Sequence, residues 1–392
     1  MRGRAVRAPV FSRDAPGNVL RHAILGAGGV GLALGAALAR GGHDVTLVMR
    51  ESTRARYSGV IDVHSRLRGD HSVAVRAVGR LDEPVDVLWV TVKAPALGAA
   101  LSRTGPGPLP GAVVPLLNGL DHPALLRERF GSRQIVGAIR VEAERTGPGR
   151  VTWNSLFAEV SLAATEGTPA GSGAATPGSA APCADGPCAD RPCADRPYAD
   201  GPHATPSGVG APHVGAPHVG APHTGASRAT AFAGVTASLA DAGIACTTEP
   251  DPARVLWRKL VLLLPLALAT TAADGPLGAV RRQPGLKALL HGAAREACAV
   301  AAAEDVAVDG PGLLHTLDTL PGRTDTSLHR DVATGVRPTE LAALTEPVLR
   351  RARDHDLSLP AITELARRAA ERERRAEAPA PHRSTYSKGE TS

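Results

Sequence analysis

The chain has 392 residues and a net charge of +6, with aromatic residues at only 3%, so it exceeds one typical core and must build its cores from aliphatic side chains. Its basic residues are scattered and interleaved with acids, which is a solvated surface rather than a nucleic-acid face. Three of the five cysteines sit in one repeat, which excludes a disulfide framework, and the longest strongly apolar run, 260–273, is too short to span a bilayer.

In chain order, residues 1–20 are basic but lack the apolar centre of a signal peptide and read as a disordered extension of a cytoplasmic protein. Residues 22–50 read as strand, glycine turn, helix and second strand. Ala23, Ile24 and Leu25 lead into Gly26, Gly28 and Gly31 at G-x-G-x-x-G spacing, and the second strand ends roughly 20 residues on, the context expected of a dinucleotide site. Gly26 permits the tight turn, Gly28 lets a pyrophosphate approach the backbone, and Gly31 lets the helix pack closely. The phosphates would meet the helix N-terminus. Arg50 stands at the tip of the second strand, where an arginine suits the 2′-phosphate of NADP; the neighbouring Glu51 leaves NAD open.

The apolar run 85–93 reads as a parallel strand buried on both faces, ending at Lys93. Ligands of open α/β sheets bind beyond the carboxyl ends of strands, so Lys93 reads equally as a ligand contact or a surface lysine. Residues 112–119 form another strand ending at Asn118-Gly119, equally a site residue or an ordinary turn. A further strand spans 134–143. Residues 164–227 are dominated by Gly, Ala and Pro with short tandem repeats and almost no large apolar side chains, which predicts a disordered insertion. Its Cys183, Cys188 and Cys193 and its His203, His213, His218 and His223 follow the repeat period, not metal-ligand spacing, so no metal site is expected.

After the insertion, 229–250 read as an amphipathic helix and a short strand. Residues 252–273 form a helix that is hydrophobic on every face and therefore buried. Lys259 near its start is either a snorkelling surface residue or, beside Trp257 at a domain boundary, a desolvated proton donor. Helices are expected over 286–306, 339–357 and 362–373, with a loop at 320–335 and a loose polar tail from 374.

With those residues in view, the chain resembles the ketopantoate reductase family over residues 22–164 and 228–372. The family's glycine motif matches Gly26, Gly28 and Gly31, its V-T-x-K strand end matches 90–93 and its N-G turn matches Asn118-Gly119. Its W-R-K-L helix start matches 257–260, its serine-rich segment resembles 326–331, and its T-E pair falls on Thr339-Glu340. The resemblance implies an N-terminal Rossmann-type parallel-sheet domain (21–163) followed by an all-α substrate domain (228–373), with the site in the cleft between them. It implies NADPH as cofactor, held by Gly26, Gly28, Gly29, Val30, Gly31, Arg50, Lys93 and Asn118. Lys259 would be the catalytic acid and Glu340 its partner, while Asn118 and Ser327 would bind a small 2-oxo acid, reduced to a 2-hydroxy acid. The implied substrate is 2-dehydropantoate, reduced to (R)-pantoate in pantothenate and coenzyme A biosynthesis. A homodimer is compatible with the sequence, which does not fix oligomeric state.

Where the family carries asparagines four and eight residues after the lysine, this chain has Leu263 and Ala267, which share its helix face and should line the pocket. That departure keeps open a more apolar 2-oxo acid or ketone as substrate, and a non-catalytic NADP-binding sensor is the third reading.

Overall fold

The computed structural model describes residues 19–155, 158–163 and 227–377. The expectations for the N-terminal extension, for the repeats with their cysteines and histidines, and for the end of the tail lie outside the described residues.

From the amino end run β1 (Arg21–Leu25), α1 (Gly29–Arg40), β2 (Asp44–Val48), the single turn α2 (Glu51–Arg54), and the strands β3 (Val60–His64), β4 (His71–Ala74) and β5 (Arg76–Val78). Next come β6 (Val87–Val90), α3 (Leu97–Leu101), β7 (Ala112–Pro115), α4 (His122–Phe130), β8 (Gly137–Arg140), β9 (Ala143–Gly147), β10 (Arg150–Trp153) and β11 (Glu159–Ala163). Then follow α5 (Arg228–Asp241), β12 (Ala245–Glu249), α6 (Pro252–Ala273), α7 (Leu277–Arg281), α8 (Pro284–Ala303), α9 (Gly310–Thr319), α10 (Ser327–Ala333), α11 (Leu341–Asp354) and α12 (Pro360–Glu377).

The expected parallel sheet has the order β5-β2-β1-β6-β7, every pair parallel. β6 and β7 are buried along their whole length, as two-sided burial requires, and Trp89 at the centre is fully buried. Because the strands are parallel, the ends at Gly26, Arg50, Lys93 and Asn118 all face the same side of the sheet.

The expected strand over 134–143 divides instead. Ile135 adds one backbone hydrogen bond to Val113 beside β7; β8 then enters a second sheet with β11 and β12, and β9 a third with β10, β3 and β4. One apolar run thus serves three sheet edges in turn. α5 and β12, expected to open the helical half, pack on the sheet side: Phe232, Val235, Leu239 and Ile244 share a core with Ile24, Leu47 and Trp89. Ser227, assigned to the insertion by sequence, caps α5 by accepting the Thr230 N–H at 3.3 Å.

α6 organises the second half. Asp251 caps it by accepting the Ala253 N–H at 2.9 Å, Pro252 occupies its first turn, and Asp274 in left-handed backbone ends it. The helix is long and apolar enough to cross a membrane, but two thirds (67%) of its most apolar stretch is buried in the protein, chiefly against α8, α12 and α10. Leu260, Val261, Leu264, Leu268 and Ala269 meet Leu290, Ala293, Ile362 and Leu365 in one aliphatic core. Each fully buried leucine contributes about 1.5–3 kcal/mol, and truncating Leu264 to alanine should cost about 2–5 kcal/mol. The segment expected to be a loop carries the seven-residue α10, started by Thr326, whose hydroxyl accepts the His329 N–H. α12 runs to Glu377, four residues past its expected end at 373, and Arg367 and Arg368 pair with Glu364 at helical spacing within it.

Beneath the sheet, His22 on β1 is fully buried and accepts the indole N–H of Trp89 at 3.0 Å. Burial, then the neighbouring His43, push its pKa down to about 3. The unfolded chain therefore binds a proton near pH 6.5 that the native state refuses, so stability falls as pH drops from 6.5 towards 3. His22→Asn, which keeps an acceptor for Trp89, should remove about 2 kcal/mol of the stability difference between pH 6.5 and 4.5. Urea unfolding of both proteins at the two pH values measures it; identical acid sensitivity would mean His22 is protonated in the fold.

Candidate active site

The turn after β1 is set by backbone geometry. Gly26 has φ +115°, and a Cβ there would lie 2.7 Å from the Val92 side chain. The Thr91 hydroxyl donates to the Gly26 carbonyl at 2.8 Å and locks the turn. A Cβ on Gly31 would sit 2.0 Å from the Gly26 carbonyl oxygen, so α1 can begin this close to the strand only with glycine. Gly28 caps α1 and opens onto free space, the cradle a pyrophosphate needs, and no side chain caps the first turn of the helix. Gly29 and Val30 follow in that first turn; Gly29 is bare for a different reason, since its Cβ position is occupied by the Ala143 carbonyl of β9.

At the end of β2, Arg50 is exposed and caps α2. Glu51 is held by Arg54 through two contacts of 2.9 and 2.6 Å, which keeps its carboxylate engaged beside the arginine. The residues present therefore suit a dinucleotide: a glycine cradle, an uncapped helix start and a cation at the second strand tip.

At the ends of β6 and β7 the two halves of the chain meet. Lys93 forms an ion pair with Asp331 of α10. Glu340, buried at the start of α11, accepts the Ala94 N–H at 3.3 Å on one carboxylate oxygen and the Asn118 amide at 3.1 Å on the other. Asn118 and Lys259 line one small cavity with Leu117, Gly119, Ala138, Leu256, Leu260 and Leu263. Desolvation by these apolar neighbours lowers the Lys259 pKa to about 8, opposed by the Glu340 charge and reinforced by Arg140. An ammonium with that pKa is charged at neutral pH and gives up its proton more readily than an ordinary lysine.

The fold thus brings together Lys259, Glu340 and Asn118 from three distant segments. Leu263 lines the cavity as its helical spacing required, whereas Ala267, expected to line it too, is fully buried in the core between helices and is not part of the cavity wall. Ser327 lies in the first turn of α10, four residues before the Asp331 that holds Lys93. Sequence reading missed the Thr91 lock, the Ala94 N–H and Arg140. Thr91 acts through its hydroxyl on a backbone carbonyl and Ala94 through its N–H, contacts between distant segments that no local pattern reports. Arg140 shares a strand face with Ala138, but that face gains its meaning only from the cavity beside it, which the sequence does not show.

Comparison with known proteins agrees with this layout. The ketopantoate reductase PanE/ApbA model matches residues 22–167, and the model of that family's C-terminal part matches residues 252–373. A 2-dehydropantoate 2-reductase from Halobacterium salinarum is 34% identical over 137 residues, 34% of this chain and 45% of that protein; the chain thus spans less than half the length of this curated relative. Among solved structures, a PanE/ApbA family ketopantoate reductase from Ralstonia eutropha is similar with a TM-score of 0.67 at 21% identity, covering 92% of this chain and 100% of that one. D-mandelate dehydrogenase bound to NADH and anilino(oxo)acetate is similar with a TM-score of 0.66 at 16% identity, again covering 92% and 100%.

If Glu340 raises the Lys259 pKa through its charge, Glu340→Gln should move that pKa below about 8. An NMR titration of the lysine side chains reads it directly, and an unchanged or higher value would mean the two groups do not face one another.

Proposed function

Because the chain belongs to the ketopantoate reductase PanE/ApbA family, we propose that it catalyses the NADPH-dependent reduction of 2-dehydropantoate to (R)-pantoate, a step of pantothenate and coenzyme A biosynthesis. The observation that carries this reading is Lys259 in an apolar cavity, coupled to Glu340 and beside Asn118, at the same sheet edge as the glycine turn. When bound, the reduced nicotinamide supplies the hydride that the substrate's C2 carbonyl carbon accepts.

The chain's own part is to hold and move a proton. Lys259 Nζ donates to the carbonyl oxygen as it becomes an alkoxide, and its charge stabilises that oxygen beforehand. Glu340 keeps the ammonium charged against desolvation and is itself fixed by Ala94 and Asn118. Asn118 and Ser327 orient the substrate. Gly26, Gly28, Gly29, Val30 and Gly31 shape the cofactor turn, and Lys93 stands at its side, where its pairing with Asp331 ties the helical half to the sheet. Arg50 favours NADPH over NADH, since it can pair with a 2′-phosphate while Glu51 is engaged by Arg54.

A second reading has its own support. Leu117, Ala138, Leu256, Leu260 and Leu263 make the cavity wall aliphatic, and Leu263 stands where the family carries an asparagine, which favours a 2-oxo acid with an apolar side chain. A panel of 2-oxo acids with NADPH separates the two by kcat/KM. Tight NADPH binding without turnover of any of them would indicate a sensor.

Three outcomes are expected. Lys259→Ala should lower kcat by about 10²- to 10⁴-fold while leaving NADPH binding nearly unchanged. In the parent enzyme kcat should fall as pH rises through about 8, because the acid loses its proton there. Arg50→Ala should abolish a preference for NADPH of roughly ten- to a hundredfold, the value of a charge-assisted contact of about 1.5–3 kcal/mol. Equal affinity of the parent for NADH and NADPH would contradict the cofactor assignment.

A further inference from the structure

β8 presents two faces to two different cores. Gly137 and Ile139 look toward the parallel-sheet side, where Ile139 packs with Val160 and Leu162. Val136 and Ala138 look the other way, onto Val255 and Leu256 at the start of α6, together with Ala163 of β11. Successive strand residues alternate, so Arg140 shares the face of Ala138. Ala138 lines the cavity that holds Lys259 and Asn118. Arg140 therefore lies on the same face of the strand, two residues beyond Ala138, and its side chain is 60% exposed. Its charge reaches Lys259, one of the two charges felt there. Its partner across the ladder is Glu159, which pairs with it at 3.4 Å on the adjacent strand.

Every residue on the cavity wall other than Asn118 and Lys259 is apolar or glycine, and the reductase reading assigns Lys259 to the carbonyl oxygen. A 2-oxo acid also carries a carboxylate on the carbon next to that carbonyl, which needs its own cation. A guanidinium matches a planar carboxylate through two parallel N–H donors, as an ammonium does not. We propose that Arg140 is the specificity-determining anchor for the substrate's carboxylate, exchanging Glu159 for it as the substrate enters. The inference rests on the reductase reading and deepens it by naming the residue on the cavity-side face of β8 that tells an anionic 2-oxo acid from a neutral ketone. Glu159 keeps the guanidinium paired in the resting enzyme and competes with the substrate.

The test compares a 2-oxo acid with its methyl ester, reduced with NADPH by the full chain and by Arg140→Gln, with melting temperatures as the fold control. Arg140→Gln should raise KM for the acid about ten- to a hundredfold, with kcat within about threefold, and leave KM for the ester unchanged. Arg140→Lys should recover part of the loss, and Glu159→Gln should lower KM for the acid severalfold. An equal rise for acid and ester, or no rise for the acid, overturns the assignment. Calorimetric titration of the 2-hydroxy acid into protein saturated with NADP+ reads the anchor without turnover: the parent should bind it and Arg140→Gln should bind it at least tenfold more weakly. A parent that binds the hydroxy acid but reduces no 2-oxo acid would fail the reductase reading alone, and equal binding by both proteins would fail the anchor alone.

Discussion

A buried carboxylate fixes how the two halves of this molecule meet. Glu340 lies at the start of α11, almost wholly out of water, and an ion in that position is tolerated only when its oxygens are hydrogen-bonded and a counter-charge is near. Both oxygens are satisfied from the far side of the cleft, by the Ala94 N–H after β6 and by the Asn118 amide after β7. The counter-charge is Lys259 on α6. Four segments separated by up to 246 residues must therefore arrive together, and misplacing any one leaves the carboxylate short of a partner. The Lys93–Asp331 pair adds a second tie across the same cleft.

α6 makes that arrival possible because it belongs to two cores. Its first turns rest on β8 and β11 through Val255 and Leu256, while its later turns fill the centre of the helical half. Lys259 sits at the change from one to the other. The burial that stabilises the helix also strips water from the lysine, so a single packing arrangement gives both the stability of the helical half and an ammonium ready to release its proton. Pro265 is accommodated inside the helix, where tertiary packing on all sides outweighs the lost backbone hydrogen bond.

The glycine turn divides its work by position. Gly26 supplies a backbone conformation, Gly31 supplies closeness between helix and turn, and Gly28 supplies space. Gly29 has a purely architectural reason, the carbonyl of β9 lying against it. A glycine count in the sequence carries none of these distinctions, because each depends on what approaches the absent side chain.

The sequence by itself determined the strand, glycine turn and helix at the start, the buried strands ending at Lys93 and Asn118, and the buried helix with Lys259 near its first turn. These are legible because hydrophobic periodicity and glycine spacing are local, set by residues a few positions apart. The family resemblance added Glu340 and Ser327, which no local pattern marks. Tertiary structure alone decided that the run 134–143 is shared among three sheets, that α5 and β12 join the sheet side, and that α10 is a helix. It alone decided that Leu263 lines the cavity while Ala267 is core, and that Ala138 of β8 lines it too. The physical reason is the same in each case: burial and charge pairing are settled by elements far apart in sequence, and a side chain's face acquires meaning only when its neighbour across the cleft is in place.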